Sequence, residues 1–348
     1  MGAKTYSVIA MAVLGWSTVV GAQTPKPGKL ETYRDWTIGC DNRNRCDAVS
    51  LLAEDGDIPD TPMMVGVARN AGADATAEIW VVHDAKGRAQ VDVHVDGRKV
   101  ASIPSLNGDG MLIGPQASAL AIAMARGTTM DVRVGGKVIG RPSLAGSGAA
   151  LRYMDARQGR AGTTTALIAT GPLGPTAVRP APPAPTIRRA LIPAGAVPPS
   201  LWREELTALG KFTGCTDEMK DGQPLELHRL SKSETLILVP CGSGAYNFSS
   251  VPVIATGTAG RRVFRFATFD YQPSWTEEAS HPMLVNVGWS PETSRLDSFA
   301  KGRGIGDCGN SETYVWDGVR FRLAEASAMD ECRGAWHWIT TWTARVTP

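Results

Sequence analysis

The chain has 348 residues, with 36 Lys and Arg against 34 Asp and Glu, a formal charge of +2. Its length exceeds the usual single domain of about 100–200 residues, and the near balance of charge excludes a broadly basic nucleic-acid binder. Hydrophobic residues at 43% and charged residues at 20% exclude wholesale disorder, while 38 Gly and 23 Pro predict many turns and short strands.

Residues 1–22 read as an export signal. Lys4 supplies the positive start, Val8 to Val20 the apolar run, and Val20-Gly21-Ala22 the small residues before a cleavage point near Ala22. The run is shorter than the roughly 20 apolar residues of a membrane-spanning helix, and no later stretch reaches that length. A soluble product outside the cytoplasm is expected. The six cysteines agree with export, where an even count favours disulfides over free thiols or metal. Each cysteine has a near partner in sequence, which predicts Cys40–Cys46, Cys215–Cys241 and Cys308–Cys332.

Residues 23–170 read as a β-rich, sandwich-like N-terminal domain with two helices. Glu78 to Asp84 and Ala89 to Val95 alternate in polarity around Lys86-Gly87. A hairpin there sets Trp80 opposite Val93 and Val82 opposite Val91, with His83, Gln90, Asp92 and His94 on the other face. Asp96-Gly97 is a further turn signal. A helix is predicted from Pro115 to Arg126, with Leu120 and Met124 on one face and Gly127 as a left-handed cap. A hairpin at Gly135-Gly136 follows, with Ile139 opposite Val132. A second helix runs from Gly148 to Gln158, capped by Ser147 and stopped by Gly159.

Residues 171–200 hold nine prolines, which interrupt ladder bonding and favour extended geometry; they read as a semi-rigid linker. Residues 201–348 read as an antiparallel, disulfide-stapled β domain with one helix. Ser200 caps that helix, Trp202, Leu206 and Leu209 form its stripe, and Gly210 ends it. Strands are predicted at Leu225–Leu230, Thr235–Cys241, Val251–Thr256, Arg262–Phe269 and Met283–Trp289. Glu312–Leu323 reads as a type I′ hairpin around Asp317-Gly318, placing Tyr314, Trp316, Val319, Phe321 and Leu323 on one face. The whole is predominantly β with a few short helices, an α+β chain.

Trp36-Thr-Ile-Gly-Cys40-Asp41 with Cys46 is similar to the opening of the invasion-associated locus B family of exported bacterial proteins. Leu144 to Leu151, Tyr153 to Asp155, Gln158 to Arg160, Lys301 to Gly309, Trp316 to Gly318, Phe321 and Cys332 to Gly334 together resemble the exported proteobacterial family of domain of unknown function 1176. That resemblance spans nearly the whole mature chain. It implies a periplasmic protein, and carries over neither an activity nor catalytic residues.

The chemical candidates are few. Gly302-Arg303-Gly304-Ile305-Gly306 is glycine-rich, but Asp307-Cys308-Gly309 and a hairpin follow where a dinucleotide fingerprint needs a helix; a tight loop beside a disulfide is expected, with Arg303 and Asp307 forming a polar pocket or pairing. His83 and His94, about 13 Å apart in the proposed hairpin, make no metal pair, and His228, His281 and His337 are isolated. Glu54 to Asp60 resembles a calcium loop only loosely. No serine sits in a nucleophile elbow, although Ser243, His281 and Asp307 could meet in space. Trp336, Trp338 and Trp342 would share one strand face, either as a stacking platform or as core.

The reading these features favour is a non-catalytic periplasmic or secreted module binding an envelope component or another protein. Arg303, Asp307, Trp336, Trp338 and Trp342 are its candidate binding residues. No cofactor, metal or nucleic acid is implied. The rival is a periplasmic hydrolase with its site near Arg303, Asp307 and His281, and a third option is a purely structural envelope protein.

Overall fold

A computed structural model describes residues 24–54, 63–195, 198–219, 225–274 and 281–348. The export signal and most of the acidic run after Glu54 lie outside them. The described residues are mostly β with three α-helices, in keeping with the predominantly β class expected from the sequence.

The first ten strands make one antiparallel sheet: β1 Leu30–Tyr33, β2 Trp36–Cys40, β3 Cys46–Ser50, β4 Met64–Arg69, β5 Ala77–Val82, β6 Arg88–Val95, β7 Arg98–Leu106, β8 Asp109–Ile113, β9 Met130–Val134 and β10 Lys137–Gly140. Their spatial order is β1-β2-β3-β4-β5-β8-β7-β6-β9-β10. The expected β5–β6 hairpin does not form. Asp96-Gly97 and Asn107-Gly108 each place two successive residues at positive φ, as a two-residue type I′ turn requires, whereas at Lys86-Gly87 only Gly87 does. Those two turns fold β6, β7 and β8 into a meander that returns β8 beside β5, so Trp80 faces Met111 instead of Val93.

Helices α1 (Pro115–Arg126) and α2 (Ser147–Arg157) cover one face of this sheet. Leu120, Met124, Leu151 and Met154 pack there against Ile38, Val67, Ile79 and Val93. Gly127 is not the left-handed cap expected, since its φ is −81°. Ile139 does not face Val132 either; a bulge after Val138 brings Gly140 there. Ser147 lies inside α2, and its hydroxyl donates to the carbonyls of Met124 and Leu144. The N-cap is Gly146, at φ 100° and so close to the Tyr33 carbonyl that no Cβ fits.

The Pro-rich segment carries a short turn of 3₁₀ helix, Pro175–Ala177, and strand β11 (Thr186–Arg188), which pairs in parallel with the last strand, β22 (Arg345–Thr347). Ile187 of β11 is buried beside Val315 and Ala324. Helix α3 spans Arg203–Thr213, starting after Trp202 instead of Ser200 and running through Gly210 to the left-handed Gly214. Its expected stripe is mixed: Leu209 is buried, while Trp202 and Leu206 are exposed.

Two sheets form the remainder. One orders β12 (Glu226–Arg229), β13 (Glu234–Ser243), β14 (Phe248–Thr256) and β15 (Val263–Phe266), with β16 (Leu284–Val285) also on β14. The other runs β17 (Gly288–Ser290), β18 (Arg295–Lys301), β19 (Gly309–Trp316), β20 (Phe321–Met329) and β21 (Ile339–Thr343). A shared core of Leu236, Leu238, Ile254, Leu296, Tyr314, Trp316, Phe321 and Trp342 joins them, and α3 covers the far side of β13 and β14. The β19–β20 turn holds four residues, since Trp316 pairs with Phe321. The Asp317 carboxylate accepts from the Val319 and Arg320 amides, stabilising that longer loop, and Val319 is left in solvent.

Strands β2, β3 and β4 are buried on both faces. The helices cover one side. On the other, Val49, Leu51 and Met64 meet Met329 of β20, Ile339 of β21 and Ala335 from the loop between them. Gly66 allows the Trp80 indole to lie across β4, because a Cβ there would strike the ring.

Candidate functional site

All six cysteines pair as the sequence suggested, and two of the disulfides sit at the seam between the halves. Cys308–Cys332 ties the loop after β18 to the loop before β21. Arg303 donates from Nε to Asp307 Oδ1 at 2.7 Å and from Nη2 to Oδ2, and Nη2 also reaches the Cys332 carbonyl at 2.7 Å. Asp307 is fully buried, and its Oδ2 accepts from the Gly334 amide at 2.7 Å. Burial alone would raise the Asp307 pKa; the Arg303 and Gly334 hydrogen bonds, with the Arg303 charge, outweigh it and hold it below the ordinary carboxylate value. The glycine-rich stretch is therefore a tight loop followed by a strand, and Arg303 and Asp307 are each other's partner.

The neighbouring Arg333 continues this clasp. Its guanidinium donates to the carbonyls of Leu52 and Arg34 and to Asp35 Oδ1 at 2.6 Å. The second seam contact is the small ring closed by Cys40–Cys46, whose Asn42 pairs with the backbone of Thr343. Within the ring Asp41 accepts from the Arg43 and Arg45 amides. Asp47 is buried beside Arg45, at 3.6 Å, and burial pushes its carboxyl up to about 6.

The other motif residues of the first half also serve the fold. Asp155 is fully buried and accepts from the amides of Leu167, Ile168 and Ala169. Gln158 donates to the carbonyls of Asn44 and Arg69, and the buried Arg160 donates to those of Gly72 and Ala75. Each side chain thereby closes a loop that lacks ladder partners of its own.

The three tryptophans do not form one face. Trp342 lies on β21 in the core, its indole donating to the Leu323 carbonyl at 3.1 Å. Trp338 precedes that strand and stacks on Phe299, with ring centres 4.6 Å apart. Trp336 is partly exposed, further back in the loop that follows Arg333. A strand assigned across all three would have aligned them; β21 begins only at Ile339.

His281 packs on Phe266, and among the described residues no hydrogen bond joins Ser243, His281 and Asp307. His83 follows β5 and hydrogen-bonds Ser105, whereas His94 lies on β6, three strands away in the sheet order. No group of three or more His, Cys, Asp or Glu among the described residues is arranged to hold a metal.

An open groove of about 380 Å³ lies elsewhere, where the Pro-rich segment meets both C-terminal sheets. Ile192, Pro193 and Pro198 form one wall, Leu227, His228 and Arg229 of β12 a second, and Trp289 of β17 with Pro291 and Glu292 a third. The first wall is fixed by its own hydrogen bonds: the Ala190 amide donates to Trp316, and the Ser294 hydroxyl donates to the Ala190 carbonyl at 2.7 Å. The His228 and Trp289 ring centres lie 6.3 Å apart across the junction. The sequence carried no signal for this site, because three segments distant along the chain assemble it.

The family model described as protein of unknown function (DUF1176) matches residues 30–345. The uncharacterized protein YpfG of Escherichia coli (strain K12) is 28% identical over 343 residues, covering 90% of this chain and 92% of its own. The crystal structure of invasion associated protein B from Bartonella henselae covers 37% of this chain and 98% of its own at 18% identity, with a TM-score of 0.27, a likeness too low to define the fold.

Proposed function

Since this chain belongs to the DUF1176 family, with the family's motif residues engaged in holding its loops and halves together, we propose that it is an exported binding protein and not an enzyme. Three disulfides support residence in an oxidising compartment. No helix among the described residues is long and apolar enough to cross a membrane. Arg303 and Asp307 act here as the clasp of the Cys308–Cys332 loop, and Trp336 remains a surface residue beside it.

The observation that carries the reading is the groove at Trp289. It is open, mixed in polarity, and walled by three independently anchored segments, which is the usual setting of a small-ligand site. The test pairs a thermal-shift screen of envelope-derived small molecules with a turnover screen on ester, peptide and glycoside substrates. Saturable stabilisation without turnover is expected. Turnover that follows the purified chain and is lost on substitution of His281 or Asp307 would replace this reading with the hydrolase.

A further inference from the structure

We propose a second binding site, independent of the groove at Trp289, that takes a soluble phosphate monoester of a small polar alcohol. It is a depression of about 350 Å³ where the end of α2 meets the Cys40–Cys46 ring and the Pro-rich segment. Asn44 comes from the ring, Arg157 and Gly159 from the end of α2, and Arg179 and Pro180 from the Pro-rich segment. Both arginine side chains are exposed, and neither has a hydrogen bond or ion pair among the described residues. Among those residues no carboxylate lines the depression. Two positive charges therefore border one volume with no anion of its lining to match them.

Local structure explains why these guanidiniums are free. The last carbonyls of α2 are already occupied, since the Gln158 amide donates to Met154, that of Gly159 to Ala156 and that of Arg160 to Asp155. Arg157, in the final turn, is thus not held by the helix-end carbonyls that a basic residue there commonly meets. Beneath it, Gln158 Nε2 donates to the carbonyls of Asn44 and Arg69 at 2.9 and 2.7 Å, which fixes the helix end to the ring. Arg179 lies between the buried Val178 and Pro180, so its backbone is anchored before any ligand arrives. The adjoining depression beyond Ala71 makes the contrast. There Arg43 and Arg45 share the lining with Asp41 and Glu325, and Arg45 is bound to Glu78 at 2.8 Å.

The chemistry of two guanidiniums selects among anions. A carboxylate has two oxygens and one charge, enough for one fork-shaped contact. A phosphate monoester has three acceptor oxygens and nearly two charges at neutral pH, enough for both. The volume exceeds a bare phosphate and falls at the small end of ligand sites. Ala71, Ala156, Ala177 and Asn44 complete the lining, with no aromatic ring on which a nucleobase would stack. A sugar or polyol phosphate fits that composition.

The experiment is titration calorimetry on the oxidised mature chain with glycerol phosphate, inorganic phosphate, succinate and glycerol. Sedimentation with phosphatidylcholine vesicles, with and without phosphatidic acid, separates a lipid headgroup from a free ester as the source of the same group. Glycerol phosphate is expected to bind, inorganic phosphate more weakly, and succinate and glycerol not at all. Arg157→Ala and Arg179→Ala should each weaken binding about tenfold, while Arg203→Ala on α3 leaves it unchanged. Thermal denaturation without ligand verifies folding, and either variant remains informative if the other misfolds. Phosphate binding that both variants retain would overturn the site. Succinate binding as tight as that of glycerol phosphate would overturn the choice of phosphate, and binding confined to phosphatidic acid vesicles would overturn the soluble ester. No binding of any probe to the folded chain would overturn the proposal outright. The groove at Trp289 shares no lining residue with this site, so its own test stands or fails separately.

Discussion

Asn42 and Thr343, 301 positions apart, exchange two hydrogen bonds: the Asn42 amide donates to the Thr343 carbonyl at 3.1 Å, and the Thr343 amide donates to Asn42 Oδ1 at 2.8 Å. A side chain here takes the part of a neighbouring strand, and it can do so because the Cys40–Cys46 disulfide closes the turn that carries it. The first sheet and the last strand are thus joined at a fixed point beyond their apolar contact.

Asn42→Ala removes both bonds and leaves the Thr343 backbone unmatched. The expected loss is about 1–3 kcal/mol, from two neutral bonds and the desolvated groups left behind. Denaturant unfolding gives the loss, and hydrogen exchange at the Thr343 amide should accelerate selectively. An unchanged exchange rate there would show that the pair does not persist in solution.

Arg303→Met strands the fully buried Asp307 with only the Gly334 amide as a strong partner. Because the guanidinium is itself partly exposed, the expected cost falls below that of a fully buried pair, at about 1–3 kcal/mol. Arg303→Lys should recover little, as an ammonium cannot reproduce the two-point contact. The pH dependence has a definite sign. The folded Asp307 carboxyl lies below its ordinary value, so its contribution is present above about pH 4 and is lost as the pH falls through the folded value. Melting curves of both variants from pH 7 to pH 3 should converge with those of the parent chain.

Asp47 has the opposite sign. Burial holds its folded pKa at about 6 against 3.8, so folding binds the proton more tightly than the unfolded chain does. The associated stability is fully present below about pH 4 and is lost as the pH rises through 6. Asp47→Asn should flatten stability over that window and raise it by about 1–3 kcal/mol at pH 7.5. A variant less stable than the parent at pH 7.5 would mean that the Arg45 contact outweighs the cost of burial.

Removing Cys308–Cys332 as the double alanine variant opens a loop of 24 residues, for which the chain-entropy account gives a loss of about 3 kcal/mol. The Arg333 contacts to Leu52, Arg34 and Asp35 depend on the same loop. Protection of the Leu52 amide, which donates to the Arg333 carbonyl, should therefore fall along with the melting temperature. Loss of melting temperature alone would uncouple the disulfide from the seam.

The sequence by itself determined whatever depends on neighbours along the chain. The Pro115–Arg126 helix is legible because proline starts it and Leu120 and Met124 share a face, and the disulfides are legible because each cysteine has a close partner. The pairing of Arg303 with Asp307 across one tight loop was open to the same reading. Only the tertiary structure decided the rest. Whether β5 pairs with β6 or β8 is a competition among turns, won by Asn107-Gly108, and alternation in one strand is blind to it. The same holds for Trp336, Trp338 and Trp342, whose faces depend on a strand that begins at Ile339. The groove at Trp289 is the extreme case: residues 192–195 and 198, 227–229, and 289, 291 and 292 converge because two sheets and a proline-rich segment bury apolar surface against one another, and that burial is a property of packed layers with no period in the sequence.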